Sequence, residues 1–122
     1  NIGKFDEKYF LFWEEIDLCR KFRSKKTSVI ITPKSKAQHN QGKSSKSNIQ
    51  NFLLKTFHYE YSPLIYFNVQ KFTVHHLKKI MKYFFRGFSY LLILNIKNSV
   101  TNFVKLTANI RYFFDLRFSS KK

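Results

Sequence analysis

The chain has 122 residues, with 23 Lys and Arg against 7 Asp and Glu, for a formal charge of +16. That length allows one domain with extensions, and a charge so far from zero is best explained by a polyanionic partner or surface that relieves self-repulsion. Because 43% of residues are apolar and 19% aromatic, a core can be buried and the chain is not a disordered basic tail.

At the N-terminus Phe5, Tyr9, Phe12, Ile16 and Cys19 step by 4, 3, 4 and 3, which predicts an amphipathic helix over residues 4–22. Asp6, Glu7, Glu14, Glu15 and Asp17 form its polar face, and Arg20, Lys21 and Arg23 follow toward the C-terminal end, where the helix dipole favours cations. Cys19, the one cysteine, rules out an intramolecular disulfide and a cysteine metal cluster; on an apolar helix face it reads as a small buried hydrophobe. No secretory signal pattern or Arg-rich transit segment stands at residues 1–13, which carry acids. Residues 27–32 (TSVIIT) are β-branched and read as a strand. The segment that follows, PKSKAQHNQGKSSKSN at 33–48, has four lysines, no aromatic and no acid, so it reads as an extended, disordered-like basic arm.

Residues 49–61 fit either a helix (Ile49, Phe52, Leu53, Phe57) or, over the aromatic run 57–61, a strand. Ser62-Pro63 predicts a break, and 64–72 (LIYFNVQKF) a strand. Val74, Leu77, Ile80, Met81, Phe84 and Phe85 then recur at helical spacing, with Thr73 as N-cap and Gly87 in the C-cap position. This helix turns an apolar back to a core and a basic front, Lys78, Lys79, Lys82 and Arg86, to something negative. Residues 88–96 are apolar on both faces, as a covered central strand would be. Residues 97–99 read as a turn, with Ser99 capping a last helix whose stripe is Val100, Phe103, Val104, Thr107, Ile110 and Phe114.

The expected fold is therefore α/β or α+β: a small open sheet with a β-α-β-α C-terminal unit, preceded by an N-terminal amphipathic helix and a basic loop. The expected organisation is helix and short strand over 1–32, arm over 33–48, core over 49–118 and a basic tail over 119–122. The longest apolar run is of strand length, well short of the roughly 18 residues a membrane helix needs, so a transmembrane span is disfavoured.

The inventory of chemistry is thin. Five of the seven acids lie before residue 18, and Glu60 and Asp115 stand far apart. No paired-carboxylate motif or Gly-rich phosphate loop is present. His75 and His76 are adjacent on a predicted helix and point about 100° apart, so they cannot share a metal. Neither catalysis nor a cofactor, a metal or a small-molecule substrate is expected. The signal lies in the cations: residues 18–122 carry a net charge of +19. Arg20, Lys21, Arg23, Lys25 and Lys26 form a first cluster, Lys34, Lys36, Lys43 and Lys46 stud the arm, and Lys78, Lys79, Lys82 and Arg86 line the helix. These are the candidate RNA-binding residues. As point charges, the lysines position a phosphate backbone and read no sequence.

Phe, Tyr, Asn, Ile and Lys make up 59 of the 122 residues, whereas Ala, Gly, Pro and Arg make up only 12. The abundant set is written by A/T-rich codons. In this composition and layout, a small lysine-rich body with a long acid-free arm and no catalytic residues, the chain resembles the mitochondrion-encoded ribosomal proteins of protists. The resemblance implies a structural role in a mitochondrial ribosome, with rRNA and neighbouring ribosomal proteins as partners and a loop or tail threading between RNA helices. The alternative expectation is an accessory subunit of an organellar respiratory membrane complex, whose charge meets anionic lipid headgroups.

Overall fold

The computed structural model describes residues 4–28, 30, 32–34, 36, 48–67 and 74–119, the last three by their backbone alone. Within them the chain is helical: α1 (Glu14–Ser24), α2 (Ile49–Tyr66), α3 (Val74–Leu92) and α4 (Ile96–Ser119). No strand occurs among the described residues, so the expected open sheet and β-α-β-α unit are corrected to an all-helical arrangement. Helix α4 is the centre, packed by α3 and by α2.

The decisive difference lies at Gly87, which was expected to stop a helix ahead of a strand. It is buried inside α3. A Cβ there would lie 3.0–3.2 Å from three ring carbons of Phe103, so the glycine is a notch that lets α4 approach α3. Beside it the Ser99 hydroxyl, buried within α4, donates to the Gly87 carbonyl at 2.9 Å. The apolar run 88–96 therefore continues α3 through Leu92 rather than forming a strand. An apolar run of that length cannot be assigned by periodicity alone, and a helix buried on one side and capped by apolar residues satisfies it as well as a strand does.

The turn between α3 and α4 falls at residues 93–95, not at 97–99. Leu94 is left-handed at φ 56°. The Asn95 amide donates to the Tyr90 carbonyl at 2.8 Å and the Leu94 amide to the Leu91 carbonyl at 3.0 Å, the paired bonds of a Schellman ending. Asn95 then caps α4, its side-chain oxygen accepting from the Asn98 amide at 3.2 Å. The same device ends α1. Lys26 is left-handed at φ 56°, and the Thr27 and Lys26 amides reach the carbonyls of Phe22 and Arg23 at 3.1 and 3.0 Å. A leucine and a lysine stand where glycine is the usual signal.

The remaining expectations shift likewise. The first helix begins ten residues late, at Glu14, because Phe12 and Trp13 are both left-handed. Its turned-in residue is Asp17, while Ile16 and Cys19 are exposed, so Cys19 is not the buried hydrophobe its spacing suggested. The strand at 27–32 is absent at the described Thr27, Ser28, Ile30 and Thr32, all exposed. Residues 49–61 resolve as helix, started by Asn48, whose side chain accepts from the Asn51 amide at 2.8 Å. Pro63 does not break α2. It stands in the last turn, where the carbonyl it leaves without a helical donor belongs to the exposed Tyr59. The strand expected over 64–72 is helical through Tyr66; its residues 68–72, the Thr73 cap and most of the 33–48 arm lie outside the described residues.

The core is small. Among the described residues Tyr9, Leu64, Tyr83, Ala108 and Tyr112 are the buried apolar ones, whereas 21 large apolar side chains are exposed. Helix α3 shows why. Its turned-in line is His76, Tyr83 and Gly87, while Leu77, Met81, Phe84, Phe85 and Phe88, on the face expected to be the core side or continuing it, are exposed.

Substituting Gly87→Val is expected to lower stability by about 1–3 kcal/mol through overpacking against Phe103, and Ser99→Ala by about 1 kcal/mol through the lost buried hydrogen bond. Urea unfolding followed by helical circular dichroism measures both.

Candidate nucleic-acid interface

Three carboxylates of the folded body are internally paired, Glu60 and Asp115 across elements and Asp17 within α1. Glu60 on α2 accepts from Lys79 at 3.2 Å and Tyr83 at 3.0 Å on α3, and from the Asn109 amide on α4 at 3.3 Å. Asp115 on α4 accepts from the Tyr61 hydroxyl at 2.5 Å and pairs with Arg111 at 3.1 Å. Asp17, almost fully buried, pairs with Arg20 at 2.6 Å and Lys21 at 2.9 Å. Burial opposes the Asp17 charge, but the Lys21 hydrogen bond and the Lys21 and Arg20 charges outweigh it and hold the carboxyl below its usual range. Burial and the Asp115 carboxylate push the Tyr61 phenol up, as burial and Glu60 do for Tyr83, so both act as neutral donors.

Around Asp17 the N-terminal segment docks on the end of α2. The Trp13 ring lies 4.9 Å from Tyr66 and 5.4 Å from Phe67. The Arg20 guanidinium sits 4.7 Å over the Tyr66 ring and donates to the Tyr66 carbonyl at 3.3 Å. The Ser62 hydroxyl, fully buried, donates to the Leu11 carbonyl at 2.6 Å.

These pairs divide the candidate cations. Arg20, Lys21 and Lys79 are engaged within the molecule. Arg23, Lys25, Lys26, Lys34, Lys36, Lys78, Lys82 and Arg86 are exposed, and none has a carboxylate within ion-pair reach among the described residues. Lys43 and Lys46 lie outside those residues. The eight exposed cations fall on two elements. Arg23, Lys25 and Lys26 close α1, with Lys34 and Lys36 beyond them. Lys78, Lys82 and Arg86 climb the outer side of α3 at successive turns, about 6 Å apart along its axis. Their spacing suits a row of phosphates, and their side chains offer charge without base discrimination. Lys97, exposed at the start of α4, extends the basic surface and was not singled out in the sequence because a turn was expected there.

Two histidines are packed. His58 lies against Phe10 at 5.0 Å and Phe57 at 5.2 Å, and His76 is buried on α3. Burial lowers the pKa of both, helped at His76 by His75 and Lys79. They are therefore neutral at neutral pH and add nothing to the basic surface. Among the described residues no group of three His, Cys, Asp or Glu side chains is placed to hold a metal ion. A cleft of about 490 Å³ is lined by Tyr9, Asp17, Arg20, Tyr61, Tyr112 and Asp115 among others, and these aspartates are already paired.

A histidine whose folded pKa lies below its unfolded value takes up its proton more readily in the unfolded chain. Stability is therefore complete above about pH 6.5 and falls as the pH drops below it. His58→Phe is expected to flatten that fall, read as the urea midpoint between pH 7.5 and 5.

No family model, curated relative or solved structure matches the chain.

Proposed function

We propose that this protein is a structural constituent of a ribosome, gripping rRNA phosphates through its lysine-rich surface and its basic arm. The observation that carries this reading is an imbalance. The two carboxylates after Asp17 are both spent on internal contacts, whereas eight of the candidate cations stand exposed with no carboxylate in ion-pair reach among the described residues. Folding has not neutralised them, which favours an external polyanion as their partner. The small core and the many exposed apolar side chains favour a chain that works inside an assembly, covered by neighbouring ribosomal proteins, over one that works alone. The A/T-weighted composition supports a mitochondrial ribosome. The chemistry is electrostatic: no bond is made or broken, and affinity comes from released counterions.

A second reading, an accessory subunit of an organellar respiratory membrane complex, draws support from the apolar end of the α3–α4 hairpin, where Leu92 and Leu94 are more than four-fifths exposed. Ribonuclease treatment of the native particle should release a ribosomal constituent and leave a membrane-complex subunit in place; detergent should do the reverse.

With eight phosphates neutralised, log K should fall against log salt with a slope of about −6 to −7. Replacing Lys78, Lys82 and Arg86 together by Gln should make that slope shallower by about 2–3. Lys79→Gln should leave the slope unchanged and lower stability instead, because Lys79 is held by Glu60. Deleting residues 34–47 should keep the helical fold and weaken RNA binding. Filter binding of rRNA across a salt series distinguishes these outcomes, and equal slopes for the Lys78 triple variant and Lys79→Gln would count against the reading.

A further inference from the structure

The end of the α3–α4 hairpin has no counterpart elsewhere among the described residues. Leu91, Leu92, Ile93, Leu94 and Ile96 close it in almost continuous order, with Leu92 83%, Ile93 69% and Leu94 82% exposed. A cleft of about 500 Å³ lined by Asn48, Ile49, Phe52, Ile96, Lys97 and Val100 lies beside this end; Leu92, Ile93 and Leu94 are not among its lining residues and stand exposed as an apolar turn.

The surroundings of this end are aromatic and cationic. Moving back along α3 from Leu92, Phe88 lies about 6 Å behind, Arg86 about 9 Å, Phe85 and Phe84 about 10–12 Å and Lys82 about 15 Å; all five are exposed, and Lys97 flanks the tip on α4. Between Glu60 and Asp115 the sequence contains no acid, so every charge on either leg of the hairpin near its end is positive. An apolar tip backed by interleaved aromatic rings and cations suits the acyl boundary and headgroup layer of a bilayer surface. The sign matches anionic headgroups. No helix among the described residues is long and apolar enough to cross a membrane, so contact here is insertion of a tip and not a span.

We propose that the α3–α4 turn docks on an anionic lipid surface, with Leu92, Ile93 and Leu94 entering the acyl boundary and Arg86 and Lys97 meeting the headgroups. This contact shares Arg86 with the α3 cation row but not the α1 cluster, the arm or Lys78, and its apolar part, Leu92 to Leu94, does not depend on the RNA reading.

The test uses the full chain and vesicles of phosphatidylcholine with 30 mol% phosphatidylglycerol or with none. The wild type should float with the anionic vesicles and at least tenfold less with the neutral ones. Leu92→Ser combined with Leu94→Asn should lower the floated fraction at least fivefold; asparagine tolerates the left-handed backbone at that position. Helical circular dichroism should match the wild type, which separates loss of docking from loss of fold, and rRNA binding should be unchanged. In a further variant, Ile93→Trp, brominated acyl chains in the anionic vesicles should quench emission beyond the wild-type signal from Trp13. No flotation, equal flotation of the tip variant, or no added quenching in Ile93→Trp would overturn the proposal; the last two would mark charge adsorption alone. A wild-type oligomer that the tip variant converts to monomer, without vesicle binding, would overturn it in favour of a second copy as the occupant. Loss of rRNA binding with vesicle docking retained would sink the ribosomal reading and leave this one standing.

Discussion

Glu60 ties three helices together. Its carboxylate, only 11% exposed, takes hydrogen bonds from Lys79 and Tyr83 on α3 and from Asn109 on α4 while itself riding on α2. Hydrogen bonds to a charged group contribute roughly 1.5–3 kcal/mol each, and removing the acceptor would strand an ammonium and a phenol that are now partly buried. With few apolar residues inside, this polar junction fixes how α2 and α3 are set against α4 in a way that a greasy interface of tyrosines alone would not. Gly87 and Phe103 then set how closely α3 and α4 approach.

The rarity of acids gives that junction its second consequence. A chain with seven carboxylates and 23 cations can use each acid to organise the fold or to quieten its surface, but not both. Here Asp17, Glu60 and Asp115 all organise. Lys21 and Lys79 are half-buried against them and Arg20 is paired while still exposed, and the unpaired cations are the ones a polyanion can reach. The aromatic residues divide in a similar way. Tyr9, Tyr83 and Tyr112 are buried, whereas Phe84, Phe85 and Phe88 are left for a neighbour.

How much of this was legible in the residues depended on the element. The 74–86 periodicity marked α3 correctly as a helix, and the stripe at 100–114 located most of α4. The face each turns inward was not legible, because α3 is apolar along two adjacent lines and only packing selects the one that contains Gly87. The strand reading at 88–96 failed where a continuous apolar run met a glycine. The pattern that means a helix stop followed by a buried strand is the same pattern that a helix with a packing notch produces. Asn48 and Asn95 were readable cap residues that went unread. The separation of Glu60 from Asp115 in sequence hid that Glu60 and its neighbour Tyr61 meet α3 and α4. Which cations are free and which are tied became visible only once those acids had positions in space.

Phe12, Trp13, Lys26 and Leu94 all hold left-handed backbone, and none is glycine. Each such bend costs about 1–2 kcal/mol that glycine would not incur. The packing of the segments that meet at these four corners therefore has to hold each bend in place, so the strain is carried by the small interior itself.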